Sequence, residues 1–110
     1  MIKGFLDRKR YELMETYAPV SRLPLIRGLL AIVNKYDFEI CQMDVKTAFL
    51  NGDLEEYMYM KIPKGEKVND HTRSTKVCRI KKALYGLRIS PKRWNQKFTE
   101  VTRDLGLTNT

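Results

Sequence analysis

The chemistry open to this chain rests on its carboxylates. Residues 37–66 hold seven acidic and three basic side chains, whereas residues 1–36 hold three acidic to seven basic and residues 67–110 three to eleven. An acidic middle between basic flanks has two readings. It gathers carboxylates for a cation inside a nucleic-acid-binding cleft, or it is a run of solvated faces. Alternation over residues 38–45 predicts a strand with Ile40, Gln42 and Asp44 on one face and Cys41, Met43 and Val45 on the other. Asp44 then ends the polar face. Its ordinary alternative is the N-cap of a short helix running through Thr47 and Leu50. Two cysteines, Cys41 and Cys78, and a single histidine, His71, fall short of a four-ligand zinc site. The cysteines read as reduced and buried, which suits an intracellular protein, and His71 reads as a surface residue.

The elements that must position these groups follow from periodicity. Pro24 opens a helix-like run in which Ile26, Leu29, Leu30 and Val33 share one face, so that face is expected on a core. Gly28 within it costs about 1 kcal/mol relative to Ala, tolerable where something packs close. Asn51-Gly52 signals a turn, and alternation resumes over residues 57–62 with Met58, Met60 and Ile62 on one side. Residues 63–75 (PKGEKVNDHTRST) read as an exposed loop, and residues 76–80 as a short strand. Ser90-Pro91 marks a helix start, with Ser90 as N-cap. Trp94, Phe98, Val101 and Leu105 form its apolar stripe, Lys92, Arg93, Gln96 and Arg103 its polar side, and Gly106 its end. Helix, three strands and helix predict an α+β layer, an antiparallel sheet with both helices on one face.

One domain fits 110 residues, and 43% hydrophobic with 31% charged side chains excludes a disordered chain. The net charge of +8 directs any polyelectrolyte partner to be an anion. No apolar run reaches the roughly 18–20 residues of a membrane span, and residues 1–8 (MIKGFLDR) lack a secretory signal.

Residues 42–52, QMDVKTAFLNG, resemble the first catalytic motif of the reverse transcriptases of copia-type (Ty1/copia) LTR retrotransposons. Tyr17-Ala18-Pro19-Val20 is similar to that family's aromatic-Ala-Pro-Val segment. Tyr59-Met60 with Pro63 and Gly65, after the acidic DLEE of residues 53–56, matches a further tract. Residues 77–88, VCRIKKALYGLR, followed by Ser90-Pro91 and Trp94, resemble the second conserved block. Several matches in the right order cover nearly the whole chain.

The resemblance implies part of a right-hand polymerase, spanning some of the fingers and the first part of the palm, cut at both ends. The implied parent reaction is DNA synthesis from dNTPs on an RNA or DNA primer–template, with two Mg²⁺ ions about 3.5–4 Å apart. It implies Asp44 as catalytic carboxylate and metal ligand, with the Val45 main-chain carbonyl as a second metal ligand. Phe49 resembles the aromatic gate under the incoming sugar, and Tyr85 and Gly86 the backbone approach to the nucleotide. Arg88 and Lys92 stand as phosphate contacts. Taken singly, Phe49, Trp94 and Phe98 also read as core, Gly86 as a turn glycine, and the basic side of the last helix as solvated.

The sequence also departs from the family. The Tyr-x-Asp-Asp hairpin is absent, as is any Asp-Asp pair, and Met1-Ile2-Lys3-Gly4-Phe5 resembles the middle of a family strand whose earlier basic residues, used on the triphosphate, are absent. Pro24-Leu25, Lys61-Ile62 and Ile89 differ from the usual types. RNase H, integrase and protease segments, the rest of the Pol polyprotein, are missing. The expectation is a fragment inactive as a polymerase by itself. The alternatives are a non-catalytic basic nucleic-acid-binding module and a relic without a role.

Overall fold

A computed structural model describes residues 2–3 and 20–108. The Tyr17-Ala18-Pro19 segment and Gly4-Phe5 lie outside the described residues. Among the described residues the elements in chain order are α1 (Leu23–Tyr36), a 3-10 helix (Ala48–Asn51), β1 (Asp53–Lys61), α2 (Asp70–Thr75), β2 (Val77–Lys82) and α3 (Ser90–Asp104). Helix and strand thus mix in one chain, an α+β fold with a two-stranded antiparallel sheet.

The hairpin of β1 and β2 pairs Met58 with Ile80, Tyr59 with Arg79, Met60 with Cys78 and Lys61 with Val77. Along β1 burial alternates strictly, so Leu54, Met58 and Met60 point inward while Tyr57 and Tyr59 point out. Ile80, Leu87 and Ile89 form the centre of a small core, with Leu54, Met58, Met60 and Leu84 packed against it. Ala83 is buried beside them. Most of that core comes from β2 and the turn that follows it. The radius of gyration, 18.9 Å, exceeds the roughly 13 Å of a compact chain of this length.

α3 packs on β1 and on the 3-10 helix, and Gly52 makes that approach close. A Cβ at Gly52 would lie 3.0 Å from the Arg93 carbonyl carbon and 3.1 Å from the Trp94 nitrogen. The glycine predicted for its turn is therefore required for its lack of volume. The end of α3 follows the sequence: Gly106 adopts φ +80 and its N–H bonds the Arg103 carbonyl, while Leu107 N–H bonds that of Thr102. These two bonds make a Schellman cap.

Several expectations are corrected. Residues 38–45 form no strand, because no neighbouring strand among the described residues pairs with their backbone. Met43 and Val45, expected on a core face, are exposed, Met43 at 86%. β1 begins at Asp53, four residues earlier than alternation suggested, and β2 runs on to Lys82. The segment read as a loop over 63–75 ends in α2, capped by the Asn69 side chain, which accepts from Thr72 N–H at 2.7 Å. Arg73 ties that segment together by donating to the carbonyls of Ile62, Pro63 and Glu66. Cys41 and Cys78 are free thiols as expected, but Cys41 is exposed and Cys78 half-buried.

The helices do not both lie on one face of the sheet in the way predicted. α1 buries no residue, and its Ile26, Leu29 and Leu30 are exposed. Gly28 meets nothing within 4 Å, so no close packing offsets its cost. α3 turns its polar side inward, burying Arg93, while Phe98, Val101 and Leu105 are exposed. Ser90 is the first residue of α3 rather than its cap: Ile89 holds the cap position, and Ser90 Oγ donates to the Leu84 carbonyl at 2.6 Å. No helix among the described residues is long and apolar enough to cross a membrane.

Candidate functional site

The 3-10 helix carries Phe49, and the turn between β2 and α3 carries Tyr85 and Gly86. The Ala83 N–H donates to the Gly52 carbonyl at 3.0 Å, fastening one segment to the other. That bond, with the approach of α3 to Gly52, sets the Phe49 and Tyr85 rings 4.5 Å apart, centroid to centroid, tilted by 33°. Tilted rings at this spacing are a favourable aromatic pair. Gly86 follows at φ +104, a left-handed conformation that glycine adopts without steric cost. The turn reading of Gly86 is thus correct, and the same turn presents Tyr85 to Phe49. The Tyr85 carbonyl also accepts from Ile2 N–H at 3.0 Å.

Asp44 lies five residues before Phe49, exposed, in the irregular stretch ahead of the 3-10 helix. The cap position of that helix belongs to Thr47, with φ +50, so Asp44 does not act as an N-cap. Its carboxylate makes no hydrogen bond or ion pair with a described residue. Val45 beside it is exposed. Arg88 is exposed at the entrance to α3, and Lys92 is half-buried on the first turn of that helix. Phe49, Tyr85 and Gly86 are therefore brought together. Among the described residues no group of three or more Asp, Glu, His or Cys side chains is placed to hold a metal ion.

The strongest electrostatic cluster was not singled out in the sequence. Arg93, 9% exposed, donates from Nη2 to Glu56 Oε1 at 2.6 Å and from Nε to Oε2 at 3.3 Å. Its Nη1 lies 3.0 Å from Glu55 Oε2 and donates to Gln96 Oε1 at 2.9 Å. Burial works against the guanidinium charge, but the Glu56 bond and charge, then those of Glu55, outweigh it and raise the Arg93 pKa. Asp53 and Lys82 pair at the start of the hairpin, and this bond lowers the Asp53 pKa. Glu100 raises that of Lys97 by accepting its hydrogen bond. The available signal was Glu56 itself. Once β1 begins at Asp53, alternation puts this carboxylate on the inward face with Met58 and Met60, where it requires a cation.

Comparison with known proteins gives the class of this chain. Residues 1–110 match the family model of the reverse transcriptase (RNA-dependent DNA polymerase), and the chain belongs to that family. Its relatives are Pol polyproteins of Ty1/copia-type transposons. It is 42% identical over 98 residues to the retrovirus-related Pol polyprotein from transposon TNT 1-94 of Nicotiana tabacum, covering 89% of this chain and 7% of the polyprotein. The corresponding polyprotein from transposon RE1 of Arabidopsis thaliana is 35% identical over 107 residues, covering 97% and 7%. The Ty1-ER2 Gag-Pol polyprotein of Saccharomyces cerevisiae is 34% identical over 97 residues, covering 82% and 5%. The chain thus spans less than a tenth of the length of these relatives. No solved structure matches it significantly.

Proposed function

We propose that this chain supplies the first catalytic carboxylate and the nucleotide-shaping wall of a copia-type RNA-directed DNA polymerase. In that assembly it forms part of the fingers and the start of the palm. The observation that supports this reading is the aromatic pair Phe49–Tyr85, held beside the Gly86 turn and five residues after Asp44. Phe49 acts as a flat wall under the sugar of an incoming dNTP, selecting against a ribose 2′-hydroxyl by volume. Tyr85 backs that ring, and Gly86 lets the main chain come close to the nucleotide. Arg88 and Lys92, at the N-terminal end of α3, meet phosphates of the primer–template.

Asp44 and the Val45 carbonyl are hard oxygen donors of the kind Mg²⁺ takes. One carboxylate and one carbonyl fall short of the near-octahedral set that Mg²⁺ demands, and no carboxylate cluster among the described residues completes it. On this reading the chain depends on carboxylates from the rest of the polymerase for nucleotidyl transfer. The test is a chimaera in which this chain replaces the matching segment of the tobacco Pol polyprotein. The chimaera is expected to extend a DNA primer on an RNA template, and its Phe49→Val variant to incorporate ribonucleotides more readily. Unchanged discrimination between dNTP and NTP in that variant contradicts the assignment of Phe49.

A further inference from the structure

The outward face of the β1–β2 hairpin is built from residues that the Phe49–Tyr85 site does not use. Strand alternation puts Tyr57 and Tyr59 on it, 73% and 58% exposed, two positions apart and so about 7 Å along the strand. Arg79, the cross-strand partner of Tyr59, lays its guanidinium over the Tyr57 ring, 4.4 Å from the centroid. Lys61 and Lys81 flank the pair on the same face.

The acidic side chains on this face are already engaged. Asp53 pairs with Lys82, and Glu55 with Arg93. Lys61, Arg79 and Lys81 have no carboxylate partner among the described residues. Residues 61–82, the far part of the hairpin with its connection, carry eight basic and two acidic side chains. Tyr59 and the Arg79-backed Tyr57 leave two phenol rings largely in water, a patch that a partner can cover. A partner suited to both the rings and the charge must offer flat π faces on an anionic backbone.

We propose that this face is a stacking platform for single-stranded RNA. Successive bases lie on Tyr59 and on the Tyr57–Arg79 pair, since aromatic rings and guanidinium planes both stack bases. Lys61, Lys81 and the charge of Arg79 take the phosphates. A duplex keeps its bases stacked inside and offers these rings nothing. The choice of RNA over DNA rests on the function proposed above, and the stacking and charge do not depend on it.

The test is fluorescence anisotropy of a labelled twelve-residue oligouridylate titrated with the 110-residue chain across a salt series. Tyr57→Ala/Tyr59→Ala is expected to weaken binding roughly thirtyfold or more at fixed salt, with the salt slope unchanged. Tyr57→Phe/Tyr59→Phe keeps the rings and is expected to bind as the parent does. Lys61→Ala/Arg79→Ala/Lys81→Ala should reduce the slope of log affinity against log salt by about 2. The proposal is overturned if the double alanine variant binds like the parent, or if an RNA duplex of equal length binds as well. Tighter binding of the matching oligodeoxynucleotide overturns the assignment to RNA. Primer extension by the chimaera does not enter this titration, so the two readings fail separately.

Discussion

Arg93→Ala should be the most damaging single truncation of α3. The guanidinium makes two bonds to Glu56, contacts Glu55 and donates to Gln96. Glu56 keeps only 17% of its side chain exposed, so removing Arg93 takes two charge-assisted bonds from a carboxylate that water reaches poorly. Breaking a buried ion pair costs about 3–5 kcal/mol. Partial exposure of Glu56 lowers this to about 2–3 kcal/mol, and the Glu55 contact, 78% exposed on the acid side, adds little. A domain of this size has about 5–15 kcal/mol in all, so the variant should melt roughly 10–20 °C lower. Urea titration followed by circular dichroism measures the cost directly. Glu56→Ala should be nearly as damaging, and the double variant less damaging than the sum. Arg93→Met/Glu56→Leu, which replaces the pair by apolar volume, should be close to neutral. A cost below about 0.5 kcal/mol for Arg93→Ala would refute the claim that this pair holds α3 to β1.

Gly52→Ala places a methyl group 3.0–3.1 Å from α3 backbone that no rotamer change can move. It should cost about 1–3 kcal/mol, and an unchanged urea midpoint contradicts the close approach. The Asp53 pKa is lowered by the bond to Lys82, so the stability this carboxylate adds is full above its ordinary pKa and is lost as pH falls through the lowered one. Comparing Asp53→Asn with the parent, the stability gap should hold from pH 7 to about 5 and close below about pH 4, and a gap independent of pH argues against the pair.

The parts of the fold legible in the sequence are those fixed by local rules. The Pro24 and Pro91 helix starts, the Gly106 stop and the alternation of Tyr57, Met58, Tyr59 and Met60 all depend on neighbours within a few residues. The failures involve tertiary partners. Residues 38–45 carry a strand pattern, yet pattern alone supplies no neighbour to bond their N–H and carbonyl groups. Phe98, Val101 and Leu105 were expected inside because they are apolar, and α3 instead faces β1 with Arg93, where Glu56 holds it. For the candidate site, motif resemblance pointed to Phe49, Tyr85 and Gly86, and the structure brings these three together. Their juxtaposition depends on the bond from Ala83 to Gly52 and on the volume missing at Gly52, neither of which periodicity displays. The apolar stripes of α1 and α3 are real amphipathic patterns, but the expectation that they pack on the core fails: Ile26, Leu29, Leu30, Phe98 and Val101 are exposed.

The role of the Asp44 carboxylate is tested most directly by primer extension with the chimaera on an RNA template, comparing Asp44→Asn with Asp37→Asn and Asp53→Asn. Asn keeps the volume of the side chain and removes its charge. The account predicts that only Asp44→Asn abolishes extension, by a factor of a thousand or more, while the two controls extend at the parent rate. Extension by Asp44→Asn at the rate of the unsubstituted chimaera contradicts it.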